Sequence, residues 1–165
     1  MHPDLPIFFR TMARNEQQGT VQVAGEYLVP AERSLVWAKL QDPDVLALCI
    51  RGCDRVVLDM EGEDRAEFSF GIGPLRKRVD ARLKVEETDP PAEYRLHAET
   101  RLRKLGSAAG SARVLLDCRE TETLLTYTAD IAVQGWFAGL GDTVLRAAAD
   151  RYMARFFERF TDVVV

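Results

Sequence analysis

Hydrophobic and polar residues alternate with a period of two over most of the chain, which is typical of strands with one buried face. The first such segment is "TVQVAGEYLV" at 20–29. Six more follow from residue 54, and joins such as Gly73-Pro74 and Pro90-Pro91 separate them, as in antiparallel sheets. These predicted strands cover 54–60, 64–71, 75–88, 92–104, 107–119 and 122–134.

Three other segments repeat apolar residues at helical spacing. Two short helices are predicted after the first strand, over 31–40 and 42–48, and the second begins with an Asp-Pro pair that suits a first turn. Gly52 is its predicted end. Near the C-terminus, "WFAGLGDTVLRAAADRYMARFFERF" predicts one long amphipathic helix.

This order of elements predicts one α+β domain over residues 20–165, preceded by an N-terminal arm over residues 1–19. A chain of 165 residues is long enough to bury roughly 70% of its unfolded surface around one core. A long helix on one face of a curved antiparallel sheet of about seven strands buries the apolar faces of both. The pattern therefore predicts a helix-grip architecture.

Composition limits the expected partners and location. The net charge is −4, so nucleic acid is not an expected partner. No apolar run approaches the ~18 residues of a membrane span, and "LPIFF" is too short for a secretory signal. We therefore expect a cytoplasmic protein whose three cysteines are free thiols.

The sequence offers little for catalysis or metal binding. Cys49 and Cys53 are four apart, but a metal site needs about four ligands, and the histidines lie far apart in sequence, so a structural role is expected. His97 falls on the charged side of its strand, and no G-x-S-x-G motif is present. Close backbone packing is expected at Gly139 and Gly141. No catalytic residue, metal or cofactor is predicted.

The inward face of the predicted sheet is small at its centre. Its small residues are Ala98, Ala108, Gly110, Ala112 and Ala129. The facing helix is also small in the middle and bulky at both ends. Either the helix lies close to the sheet, or its bulky ends hold it away and leave a hollow. Because an empty hollow of ~300 Å³ would cost about 7 kcal/mol, a hollow is expected to hold an apolar ligand.

If the helix is held away and leaves a hollow, the ligand would contact the inward side chains of the sheet and the facing side of the helix. Tyr127 offers the polar contact, through its hydroxyl group. The predicted ligand-binding residues are Phe68, Phe70, Ala98, Tyr127, Trp136, Leu140, Val144 and Tyr152.

A cluster of basic residues is predicted at one end of the sheet, where two neighbouring strands meet. Its members are Arg76, Lys77, Arg78, Arg101, Arg103 and Lys104. Such a basic end could dock an acidic partner or an anionic membrane surface. The alternative is a solvated face that Asp80, Glu99 and Glu67 neutralise.

The sequence resembles the START/Bet v 1-like (SRPBCC) superfamily, and within it the CoxG family, named after the CoxG subunit of carbon monoxide dehydrogenase. The matching stretches are "VWAKLQDPDVLALCIRGCDRV", "GIGPLRKRVDARLKV", "GSAAGSARVLL", "LTYTADIAVQGWFAGLG" and the final "FFERF". The family usually has proline where this chain has Arg51. The resemblance implies a deep cavity between sheet and long helix. It also implies an accessory role beside a molybdenum hydroxylase such as CO dehydrogenase.

Three functions follow as hypotheses. The first is a binding or carrier protein for a lipid, isoprenoid or quinone, with a CO dehydrogenase-like enzyme as partner and peripheral contact with the inner membrane face. The second is a cyclase- or hydratase-type enzyme, which would need acid and base groups inside the cavity. The third is a maturation factor without a ligand, docking through the basic end.

Overall fold

The structure of the protein, a computed structural model, describes residues 18–50, 53–57, 64–72, 75–102 and 106–164. The strands are β1 (Gln18–Val29), β2 (Cys53–Val57), β3 (Asp64–Ile72), β4 (Leu75–Asp89), β5 (Glu93–Leu102), β6 (Gly106–Arg119) and β7 (Glu122–Gln134). The helices are α1 (Arg33–Leu40), α2 (Pro43–Cys49), a 3₁₀ helix (Gly135–Leu140) and α3 (Asp142–Val164). The predicted order of strand, two short helices, strands and C-terminal helix is confirmed.

The seven strands of the described residues form one antiparallel sheet in the order β1-β7-β6-β5-β4-β3-β2. All three α-helices pack on one side of it, which we call the inner face. The sequence order of β2 to β7 is also the spatial order, as expected for strands joined by short turns. β1 closes the sheet beside β7, so the α+β helix-grip prediction is confirmed.

The register confirms which side chains share the inner face. Buried Val21 pairs with Ile131, and buried Val23 pairs with Ala129. Because paired residues of adjacent strands point to the same side, the inner face continues into the small residues of β6 and β5. Ala112 pairs with Ala129, and the other small pairs follow in the same rows of the sheet.

The main core lies between the inner face, the short helices and the C-terminal half of α3. Phe157, Phe160 and Val164 of α3 are buried in it. The buried Thr123 hydroxyl donates a hydrogen bond of 2.7 Å to the carbonyl oxygen of Ala31, which ties β7 to the segment before α1. Other core members are Val29, Val36, Leu40, Val45, Cys49, Tyr94, Val114, Leu116, Leu125 and Tyr127.

The C-terminal helix differs from the prediction of one continuous helix. A 3₁₀ helix ends at Leu140, and α3 begins after Gly141, whose φ of +84° favours glycine. A Cβ added at Gly139 or Gly141 would meet no atom within 4 Å. The prediction that these two glycines permit close backbone packing is therefore wrong.

Other differences concern the ends of elements. β1 begins at Gln18 and so includes two residues that the sequence assigned to the arm, whose residues 1–17 lie outside the described part. β5 is described to Leu102, and the predicted end at 104 lies outside the described residues. Arg51 and Gly52 also lie outside the described residues.

Candidate functional site

The centre of the inner face is accessible to solvent although it faces α3. Its apolar residues are only half-buried. The inner-face residues nearer the β6–β7 hairpin, such as Val114 and Leu116, are buried. We call this half-buried centre the hollow. Its residues are Leu83, Val85, Leu96, Ala98, Gly110, Ala112, Ala129 and Ile131.

The burial of α3 changes along its length. Leu145, Ala149 and Met153 are half-buried, whereas Phe157 and Phe160, further along the same side, are buried. The helix therefore packs tightly at its C-terminal end and loosely at its N-terminal end. This gradient is what a hollow beneath the first turns of α3 requires.

Gly110 marks unfilled space within the hollow. A Cβ at this position would meet only the carbonyl oxygen of Asp130, at 3.5 Å, and Cγ1 of Ile131, at 3.8 Å. Both distances are ordinary van der Waals contacts, so a Cβ has room above the strand. The sequence predicted Gly110 as one of the small central residues.

Gly25 has a different reason to be glycine, which the sequence analysis missed. Its Cβ would lie 2.7 Å from Cε1 of Tyr127, so the absence of a side chain leaves room for the tyrosine ring. The two residues are register partners on β1 and β7. The sequence did show a glycine among the inward-facing positions of β1. It could not show that Tyr127 lies opposite this glycine, because that depends on the register of β1 with β7.

Tyr127 lies at the closed end of the hollow and is 3% exposed. Its ring stacks with Tyr27 and Phe157, at centroid distances of 6.3 and 5.7 Å. Burial, with the charges of Tyr27 and Asp150 adding to it, raises the pKa of Tyr127 to about 12. The phenol is therefore neutral at physiological pH and can donate a hydrogen bond.

The raised pKa makes a testable prediction about stability in alkali. The unfolded chain loses this proton near pH ~10, before the folded protein does, so the contribution of Tyr127 is complete below that pH and is lost as the pH rises toward about 12. Tyr127→Phe should lose less stability than the wild type between about pH 10 and about pH 12, as urea midpoints would show. An identical pH dependence in both proteins would contradict the assignment.

The predicted ligand-binding residues have different positions in the structure. Ala98 lies in the hollow, and Tyr127 closes it. Phe68 and Phe70 are on β3, paired with Val79 and Lys77, and their side chains are not described. The remaining four are exposed: Trp136 51%, Leu140 37%, Val144 53% and Tyr152 40%.

The break at Gly141 explains part of this exposure. The sequence argument assumed one continuous helix, whose 3.6-residue period would set the direction of every side chain from Trp136 onward. Because a 3₁₀ helix precedes α3, that phase does not carry over to Trp136 and Leu140. One of the two alternatives left open by the sequence has the bulky ends of the helix hold it away from the sheet; Trp136, at the first of these ends, is half in solvent and does not fit that role.

The predicted basic end is partly described. Arg101 is exposed near the end of β5, and the first residues of β4, which include Arg76, Lys77 and Arg78, lie toward the same end of the sheet. The side chains of those three residues are not described, and Arg103 and Lys104 lie outside the described part. Glu99 forms an ion pair of 4.0 Å with Arg82, further from this end.

Cys49 is a core residue, as the sequence predicted. It is 1% exposed, and burial raises the pKa of its thiol, although the charge of Arg159 opposes the rise. Cys118 is exposed, and the side chain of Cys53 is not described.

His97 lies on the outer face of the sheet. Its Nε2 is 3.6 Å from Oε2 of Glu86, and its Nδ1 is buried without a hydrogen-bond partner. Across the described ranges, no three His, Cys, Asp or Glu side chains are arranged to hold a metal ion. None of the helices in those ranges is both long and apolar enough to cross a membrane.

The chain matches known proteins in sequence and in fold. The model of the CoxG family, described as a subunit of carbon monoxide dehydrogenase, matches residues 25–165. Among curated proteins no sequence matches the chain.

Three solved structures show the similarity of fold. A conserved protein from Geobacillus kaustophilus is 27% identical with a TM-score of 0.78, over 87% of this chain and 94% of that chain. The Mll3558 protein from Rhizobium loti is 17% identical with a TM-score of 0.64, over 88% and 97%. Ara h 8.0201 is 12% identical with a TM-score of 0.60, over 88% and 98%. These similarities confirm the predicted START/Bet v 1-like fold.

Proposed function

Because the chain belongs to the CoxG family of carbon monoxide dehydrogenase subunits, we propose that it binds an apolar small molecule in the hollow beneath α3. The occupant is a lipid, an isoprenoid or a quinone-like compound. The observation that carries the proposal is an apolar sheet centre that stays half-buried while Phe157, Phe160 and Val164, in the C-terminal half of the facing helix, are buried. A molecule that covers this surface would gain about 25 cal/mol per Å² of apolar area removed from water.

The chemistry of the hollow supports an apolar occupant. Its side chains are aliphatic, and ordered water needs two or more polar partners. Thr100 lies in a neighbouring row of the inner face, but its hydroxyl donates to the carbonyl oxygen of Asp80 at 2.9 Å. The neutral hydroxyl of Tyr127 is therefore the polar contact that we propose for the ligand. Ala98, Tyr127 and, by their positions on β3, Phe68 and Phe70 remain in the proposed site.

The wider role follows from the family. We propose that the protein acts in the cytoplasm as an accessory or carrier protein for a CO dehydrogenase-like molybdenum hydroxylase, with peripheral contact at the inner membrane face. The family description names that enzyme, and the basic end offers a surface for an acidic partner. A carrier role needs an occupant that can be released, which agrees with a hollow that solvent reaches.

Binding is tested by titrating the purified protein with the fluorescent apolar probe 1-anilinonaphthalene-8-sulfonate. The proposal predicts saturable binding at one site and displacement of the probe by an added quinone or fatty acid. A probe signal that does not saturate, or that no apolar compound displaces, would contradict it. The Gly110 variant described in the Discussion places the bound probe in the hollow.

A further inference from the structure

The 3₁₀ helix that joins β7 to α3 lies at the edge of the hollow. A Cβ added at Gly19 would lie 3.7 Å from Cα of Ala138, in the middle of this helix, and 3.6 Å from Cδ1 of Leu145 in the first turn of α3. Gly19 pairs with Val133 on the inner face, and Ile131 of the hollow is two residues, roughly 7 Å, along β7 from Val133. The 3₁₀ helix therefore lies over the row of the inner face that borders the hollow.

A glycine with a positive φ stands at each end of the 3₁₀ helix. Gly135, its first residue, has a φ of +77°, and Gly141, which follows its last residue, has a φ of +84°. Glycine adopts this region and the regions of negative φ about equally readily. Residues at the ends of an element that absorb large changes in φ and ψ are the usual hinges of moving segments. The two glycines therefore suit hinges on both sides of the 3₁₀ helix.

Packing holds this helix only weakly against the body of the protein. Each of its six residues is half-buried or exposed, and a Cβ at Gly139 would meet no atom within 4 Å. Trp136 and Leu140 are 51% and 37% exposed, and the Trp136 ring contacts Phe137 edge-on, which is its neighbour within the same helix. Segments with few buried apolar contacts open at a small cost in free energy. The 3₁₀ helix is therefore a segment that can move while the sheet and α3 stay in place.

Two apolar surfaces lie side by side here, and solvent reaches both. One is formed by the exposed side chains of Trp136 and Leu140, and the other by the half-buried aliphatic residues of the hollow. A movement of the 3₁₀ helix over the hollow would remove apolar area from water on both surfaces. Without an occupant, this movement would enclose unfilled space, which is costly. Closure therefore depends on a molecule that fills the space between them.

We propose that the 3₁₀ helix, Gly135–Leu140, is a flap that closes over an apolar molecule bound in the hollow, with Gly135 and Gly141 as its hinges. This inference rests on the proposed function, since the flap needs an occupant on which to close. In the closed position Trp136 and Leu140 contact the bound molecule and slow its release. The structure shows the open position, in which both side chains reach solvent.

A disulfide staple tests the flap directly, because it holds the 3₁₀ helix in the open position. The variant carries Gly19→Cys and Ala138→Cys. A Cβ at Gly19 is 3.7 Å from Cα of Ala138, which is close enough for a disulfide, whose Cβ atoms lie about 4 Å apart. Oxidation should raise the Kd for 1-anilinonaphthalene-8-sulfonate about tenfold, mainly through faster dissociation, and reduction with dithiothreitol should reverse both changes. Gly19→Cys alone is the matched control, and its affinity should not respond to oxidation.

The environment of Trp136 provides a second measurement, which needs no staple. The chain has two tryptophans, so Trp136 is the sole indole in a Trp37→Phe background. Palmitate, at concentrations that displace the fluorescent probe, should shift the Trp136 emission to shorter wavelength and reduce its quenching by acrylamide, because closure takes the ring out of water. Adding Gly110→Phe, which fills the hollow, should abolish both changes.

Two results would overturn the flap although the probe still binds. One is an equal affinity of the oxidised and the reduced staple for the probe, and the other is a Trp136 emission and quenching that bound palmitate leaves unchanged. Either result would leave the proposed function intact, because binding in the hollow is measured separately. A protein that binds neither the probe nor palmitate would instead contradict the proposed function, and the flap with it.

Discussion

Replacing Gly110 by phenylalanine is expected to lower the affinity for an apolar ligand about a hundredfold while the protein remains folded. The new ring would occupy the space above β6, where a Cβ meets only two atoms within 4 Å. Gly110 does not have a positive φ, so a side chain brings no backbone strain. An aromatic residue also suits an extended strand better than glycine does. Binding is measured with the fluorescent probe, and stability by urea unfolding.

The control for this variant is Ala24→Phe. Ala24 is exposed on the outer face of β1, so the same ring is added to the sheet on the side away from the hollow. Its ligand affinity should equal that of the wild type. If Gly110→Phe folds and still binds the probe with wild-type affinity, the ligand does not occupy the hollow.

Replacing Gly106 by alanine is expected to lower the free energy of unfolding by about 3 kcal/mol. Gly106 begins β6 with a φ of +107°, a conformation that alanine rarely adopts. A Cβ there would also overlap with the backbone carbonyl oxygen of Gln134 on β7. Because this neighbour is backbone in a paired strand, relief would require moving the end of the sheet.

The same substitution at Gly110 is the matched control for Gly106→Ala. The two glycines lie four positions apart in β6, but the nearest atom to a Cβ at Gly110 is at an ordinary contact distance of 3.5 Å. Gly110→Ala should therefore change stability by less than about 1 kcal/mol. The two urea midpoints provide the comparison, and equal stabilities for both variants would refute the account of Gly106.

The sheet could be predicted from the sequence because its signals are local. Alternation with a period of two fixed the inner parity, and glycine and proline marked the turns. Ala112 and Ala129 were both assigned to the inward face, and the structure pairs them across β6 and β7. The order of strands and helices also resembled that of one known fold, which indicated how the strands are connected.

The break in the C-terminal helix could not be predicted in the same way. A glycine inside a helical pattern costs only about 1 kcal/mol, so "GLG" at 139–141 did not by itself end the helix. The positive φ of Gly141 depends on how β7 meets the helix. The helical periodicity of the sequence could therefore not predict that Trp136 and Leu140 are exposed.

The candidate site was predictable only in part, for a similar reason. Small residues at the centre of the sheet were visible in the sequence, and Ala98 and Gly110 lie where expected. The space that Gly25 leaves for the ring of Tyr127 depends on the register of β1 with β7. Which turns of α3 pack closely depends on the tilt of the helix, which no single residue encodes.

The central claim is that the hollow holds an apolar compound. Native mass spectrometry of the purified full chain tests it most directly, followed by extraction with organic solvent and identification of what is released. The account predicts a mass excess of one small apolar molecule per chain, either as purified or after incubation with a lipid or quinone. A protein that has only the mass of its chain, and that takes up neither kind of compound, would contradict it.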